Sequence, residues 1–179
     1  MIAEGIRNPV IQFAIDAHNF DTSNVASIRV DRTVPAHSNA QTDPVLGGKS
    51  PIGISPKAFG NPWRIFVHTI RHEIEHANQV AGLGAGANIP ALRPLLEFQA
   101  ETGSILSQGM LLTSLRDTFR RAGIAYGFWG RMTPAERRAE WANFQNMRNE
   151  LQRRFNASSA ATQARHQARM NTIASEPAP

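Results

Sequence analysis

The sequence predicts an α+β fold: a small sheet packed on one long helix, followed by a helical C-terminal part. Three observations predict it. Two short strand-like runs, Val25–Val30 and Ser50–Ser55, lie early in the chain. A long amphipathic helical period follows from about Pro62 to Val80. Beyond it the apolar residues recur only at helical spacing. The sheet is expected to be antiparallel or mixed, with one edge exposed.

Taken in order, Pro9 to Ala17 holds Val10, Ile11, Phe13 and Ala14, a short apolar segment compatible with strand or helix. Val25–Val30 alternates weakly and reads as a strand. Thr33 to Lys49 is rich in Pro, Gly, Asn and Ser, hence a loop. In Ser50–Ser55, Ile52 and Ile54 point one way, which predicts a second strand. The long helix carries Phe66, Ile70, Ile74 and Ala77 as one apolar stripe, with Trp63 and Val67 beside it. Asn61 offers a cap, Pro62 suits a first turn, and Gly82, Gly84 and Gly86 end the helix.

A further helix is expected to start at Pro94 and continue through Gly103 to Arg121, broken at Gly123. Ile124 to Trp129 reads as a connector. Thr133-Pro134-Ala135-Glu136 forms a capping box that launches a helix to about Phe155. Its apolar stripe is Trp141, Phe144, Met147 (or Arg148) and Leu151. Residues 156–179 are rich in Ala, Ser and Gln and have little to bury, so a frayed helix or disordered tail is expected. Residues 1–155 are then one domain with its core at about 50–110.

The chemistry is concentrated in His72-Glu73-Ile74-Glu75-His76, an H-E-x-x-H pattern. Residues four apart on a helix return to one face within about 40°. Two imidazoles can therefore aim at one metal ion, while Glu73 sits where a carboxylate can take a proton from water. The pattern arises by chance in roughly one chain of this size per hundred, so its surroundings decide. His68, His72 and His76 fall opposite the apolar stripe, which places them on a free face of the helix. A helix whose His and Glu residues merely face water would carry the same pattern.

A hydrolytic zinc site needs a third protein ligand and an open fourth position. The chain has no Cys, and no His follows His76 until His166. The H-x-x-G-x-x-H continuation of the metzincins is absent, because Gln79 stands where their glycine would be. A carboxylate remains. Glu97, Glu101, Ser104 and Gln108 form a polar stripe at helical spacing among Leu95, Leu96, Phe98, Ile105 and Leu106. Glu is rarely placed among so many apolar residues unless it is paired or metal-bound. Glu97 is the expected ligand and Glu101 the acceptor for the ring N–H of a ligating His. The reverse assignment stays open, as does a solvent-facing stripe.

His72 to His76, a loop of about twenty residues, then Glu97-x-x-x-Glu101 resembles the gluzincin metallopeptidases. Ile52-Gly-Ile-Ser-Pro-Lys-Ala-Phe59 ahead of the His helix resembles the minimal zincin domains of bacterial polymorphic toxins. Those domains are carried by type VI secretion spike (VgrG-type) proteins, Rhs-type proteins and contractile-injection effectors. The likeness spans roughly residues 50–110. It implies a minimal zincin-like fold with one Zn2+ per chain on His72, His76 and Glu97, and Glu73 as general base. The implied substrate is the amide bond of a peptide, a protein or a peptidoglycan peptide. A secretion-apparatus carrier and a cognate immunity protein are the implied partners. In zincins the strand before the metal helix edges the cleft, so Gly53, Ile54 and Ser55 are candidates for a substrate rim. An ordinary hairpin strand would read the same. Larger members add a His or Tyr that stabilises the transition state. Tyr126, the single tyrosine, is the candidate here, with packing as its alternative role. His18 and His37 lie in no motif.

Composition bounds the remaining classes. The chain has 179 residues, 41% of them hydrophobic, enough for one core. No apolar run approaches the ~18 residues of a membrane span. Met1–Gly5 lacks the basic and apolar regions of a signal peptide. The chain is therefore expected in the cytosol, or outside it by another route as a delivered effector. Its polar start reads as a piece of something longer. Residues 1–115 carry a net −1 and residues 116–169 a net +7. That basic region suits an anionic partner, which makes a non-catalytic binding module the rival reading. Nucleic acid is not the expected partner: no DNA-binding motif or base-stacking aromatic pattern is present, and only two Lys occur. A solvated Arg-rich face gives the same charge.

Overall fold

The computed structural model describes residues 8–107 and 114–179. Among them seven helices and a three-stranded mixed sheet make the class α+β, as the sequence predicts. Two compact units divide the chain, Met1–Asn88 and Ile89–Pro179. No helix among the described residues is long and apolar enough to cross a membrane.

The first unit opens with α1 (Pro9–His18). Asn8 and Pro9 settle the choice between strand and helix: the Asn8 side chain accepts from the Val10 and Ile11 N–H groups, and Pro9 takes the first turn. Ile11, Ala14 and Ile15 are buried. Strands β1 (Val25–Val30), β2 (Ala40–Thr42) and β3 (Ser50–Ile54) follow. Their order is β1-β3-β2, with β1 parallel and β2 antiparallel to β3. The loop expected over 33–49 thus contains a strand. Three residues give too short an alternation to register in a Pro- and Gly-rich stretch.

Strand β3 is central, and this corrects the expected substrate rim. Gly53 is paired with Arg29 on one side and Gln41 on the other. Ile54 is flanked in the same way, and the Ser55 N–H donates to the Asn39 carbonyl at 2.8 Å. A Cβ on Gly53 would meet the Asp31 and Val34 side chains at 3.1 and 3.2 Å, so that face is covered too. The backbone of Gly53, Ile54 and Ser55 has no edge to offer. Among the described residues the edge on that side of β3 belongs to β2.

A 3-10 turn, Pro56–Gly60, leads into α2 (Trp63–Ala81). Pro62 stands at the N-cap and no side chain caps the helix, so Asn61 does not play that part. Phe66, Val67, Ile70, Ile74, Ala77 and Val80 are buried, and α2 contacts all three strands. Burial of this apolar face, at about 1.5–3 kcal/mol per large side chain, fixes which way the histidines point.

The second unit is all helical: α3 (Ile89–Ser107), α4 (Leu115–Trp129), α5 (Pro134–Ala139), α6 (Trp141–Asn156) and α7 (Ala160–Ala174). Helix α3 begins five residues before Pro94, which lies inside it. Pro94 takes away one hydrogen bond of the helix, the one a backbone N–H there would give the Pro90 carbonyl. Residues 124–129 are helix and not connector. Phe119, Ala122, Ala125 and Trp129 form a buried stripe that carries α4 through Gly123. The packing outweighs the roughly 1 kcal/mol that an interior glycine costs. The capping box at Thr133 and Glu136 is present as expected. The helix it starts is interrupted at Glu140, however, whose carboxylate accepts from Gln99 and Asn143 at 2.6 Å each. Phe144, Met147, Leu151 and Phe155 line the buried face of α6. Residues 160–174 are a regular helix and not a frayed tail. Ser159 caps α7, and Met170 and Ile173 are buried at helical spacing.

Charge stiffens this unit at Glu150, which accepts from Arg153 at 2.7 and 2.8 Å and from Arg154 at 2.6 Å. The Arg153 bond holds its carboxyl down to about 2; burial opposes this and Arg154 adds to it. The unfolded chain takes up that proton near 4.5. The group's stabilisation is therefore complete above 4.5 and is lost as pH falls towards about 2. Glu150→Gln should melt below wild type at neutral pH, with the difference closing across that window. A difference constant down to pH 2 would assign the loss to packing instead.

Candidate metal centre

Helix α2 brings His72 and His76 to one face. Their Nε2 atoms lie 3.1 Å apart, with the rings edge to face at 85°. Two nitrogens on one tetrahedral ion, each at about 2.05 Å, would stand about 3.3 Å apart. The pair is thus spaced to hold one divalent metal. His76 Nδ1 lies 2.9 Å from Gln79 Oε1. That amide oxygen can only accept, so Nδ1 is the nitrogen that donates to it, and Nε2 is the nitrogen turned towards His72. One turn earlier His68 is buried, its ring 6.0 Å from that of His72.

Glu73 is 8% exposed, and its carboxylate is held in place. The Thr42 hydroxyl lies 2.8 Å from Glu73 Oε2 and 2.9 Å from the Glu73 carbonyl. Thr42 therefore orients the carboxylate and ties β2 to the histidine helix. Asp43 N–H donates to Pro51 and Asn39 O accepts from Ser55, so odd-numbered residues of this segment face β3. Ala40 and Thr42 direct their backbone groups to the other side, along the strand edge. Neither Thr42 nor Gln79 appears among the residues anticipated from sequence. The spacing from His76 to Gln79 was a signal for one; Thr42 had none, since only the fold brings β2 to α2.

The expected carboxylates belong to the second unit. Glu97 is half-buried on α3, 3.6 Å from the exposed Arg93 one turn before it. Glu101 is buried and ion-paired with the equally buried Arg121 of α4 at 3.4 Å. Burial lowers Arg121 to about 10, partly offset by Glu101, so it stays charged at neutral pH. The stripe continues to the buried Ser104, while Gln108 lies outside the described residues.

Tyr126 lies within α4, and its hydroxyl donates to Glu176 Oε2 at 2.7 Å. That bond raises its pKa above the ordinary phenol value, with burial adding. A proton committed to a carboxylate does not serve an oxyanion, which favours the packing role. His18 stacks near Phe20 at 5.7 Å, and His37 is exposed.

Comparison with protein-family models, with curated proteins and with solved structures gives no match.

Proposed function

We propose that this chain is a zinc-dependent metallopeptidase domain that hydrolyses amide bonds. The observation that carries the reading is the pair of α2 histidines with Nε2 atoms 3.1 Å apart, next to a carboxylate held by Thr42. Zinc is assigned to His72 and His76, with Glu97 as third ligand on the strength of the sequence spacing. When bound, the ion supplies a Lewis acid for the carbonyl and lowers the pKa of its water towards about 7.

The remaining steps belong to the chain. Glu73 accepts the proton of the attacking water and returns it to the leaving nitrogen. Thr42 donates to one oxygen of that carboxylate, leaving the other to face the reaction. Gln79 holds the His76 ring in the tautomer that ligates. An extended peptide pairs with the outward backbone groups of Ala40 and Thr42 on β2, which sets its scissile bond beside the base.

The sequence likeness of residues 50–110 to toxin zincin domains supports a delivered effector, with a carrier and an immunity protein as its partners. Folded proteins, unfolded proteins and purified sacculi are the substrates to offer. Cleavage of one of them should stop on chelation and return with zinc. New amine ends from sacculi would identify an amidase, and protein fragments a protease. Cleavage undiminished by thorough chelation would overturn the metallopeptidase.

A further inference from the structure

The second unit carries a cavity of about 790 Å³ between α4 and α7 that the proposed chemistry does not use. Arg120, Ile124 and Tyr126 line it from α4, and Arg165, His166 and Arg169 from α7. Arg165 and Arg169 are one turn apart on α7, a rise of about 6 Å, and Arg116, one turn before Arg120 on α4, is close enough for its charge to act on His166. Among the described residues none of Arg120, Arg165 and Arg169 makes an ion pair. Arg169 Nη1 donates to the Phe119 carbonyl at 3.1 Å. The Glu176 carboxylate, bonded to the lining residue Tyr126 through one oxygen and to the Trp129 indole N–H through the other, makes no ion pair with these arginines. His166 lies flat on Phe119, ring centres 4.8 Å apart and planes 2° from parallel. Burial lowers its pKa, and Arg169, Arg165 and Arg116 push it the same way. The groove thus gathers several arginines that form no ion pair among the described residues.

Geometry narrows the ligand. A carboxylate is planar and takes one guanidinium fork well, whereas a phosphate presents acceptors in several directions. A groove with arginines on both walls therefore suits phosphate, and the one-turn repeat of Arg165 and Arg169 suits more than one in a chain. The volume is that of a small-molecule site. We infer that the α4–α7 groove binds an oligophosphate group between Arg120 on one wall and Arg165 and Arg169 on the other. Ile124 and Ile173 supply an apolar floor for the remainder of the ligand.

Calorimetric titration of the full chain with tripolyphosphate at low salt tests this, with the His166 ring resonance as local reporter. Saturable binding that moves the His166 signal is expected, and citrate should bind more weakly. Arg120→Gln with Arg165→Gln should weaken binding about tenfold or more. Arg32→Gln with Arg138→Gln, both exposed and outside the groove, removes equal charge and should leave it unchanged. Thr172→Glu, a carboxylate on the exposed groove lining, should weaken it without touching the arginines. Absent binding, a His166 signal that stays put, or equal loss in the charge-matched control would overturn the site. Citrate binding as well as tripolyphosphate, or a single-stranded oligonucleotide displacing it at lower concentration, would overturn the ligand class.

Discussion

Glu73→Gln should reduce hydrolysis by about 10²–10⁴-fold while the metal content stays at the wild-type level. The amide nearly matches the carboxylate in shape, so the Thr42 contact can persist and the fold is spared. What it loses is basicity: Gln cannot take the water proton. The loss should fall on kcat and not on KM, because ground-state binding does not use that proton transfer. Thr42→Val separates position from chemistry. It keeps the shape of the side chain and removes the hydroxyl 2.8 Å from Glu73 Oε2. A smaller loss, about tenfold, is expected, with Thr42→Ser near wild type. A Glu73→Gln protein that turns over at the wild-type rate would remove Glu73 from the mechanism.

Phe144→Ala should cost about 3–5 kcal/mol of stability in denaturant unfolding. Phe144 has no exposed surface and packs on Trp129 at 4.4 Å and Trp141 at 5.5 Å between ring centres. It belongs to the cluster that joins α3, α4, α6 and α7, which includes Phe98, Phe119, Leu151 and Met170. Truncation leaves a cavity that four helices cannot close together. A loss below about 1 kcal/mol would place Phe144 outside the centre of that core.

The sequence is most legible where one helix carries the whole signal. Phe66, Ile70, Ile74 and Ala77 locate α2 and the face it buries, and the same period places His72 and His76 side by side. The capping box at Thr133 and the α6 stripe are legible because both are local. Illegible are features set by chain segments far apart. Strand β2 is too short to show in the sequence, yet it makes β3 central and brings Thr42 to Glu73. Gly123 looks like a break, but buried Phe119, Ala122 and Ala125 hold the helix through it. Met170 and Ile173 are two apolar residues in a polar segment, and their burial gives α7 its order. Tyr126 has the residue type of an oxyanion donor, while its partner Glu176 lies fifty residues away.

The measurement that tests the central claim most directly is the zinc content of the purified protein, beside His72→Ala and Glu97→Ala. About one zinc per chain in the wild type, lost in both variants, is the predicted result. A wild type that holds no zinc even when supplied with it would contradict the account and leave H-E-x-x-H a coincidence of spacing.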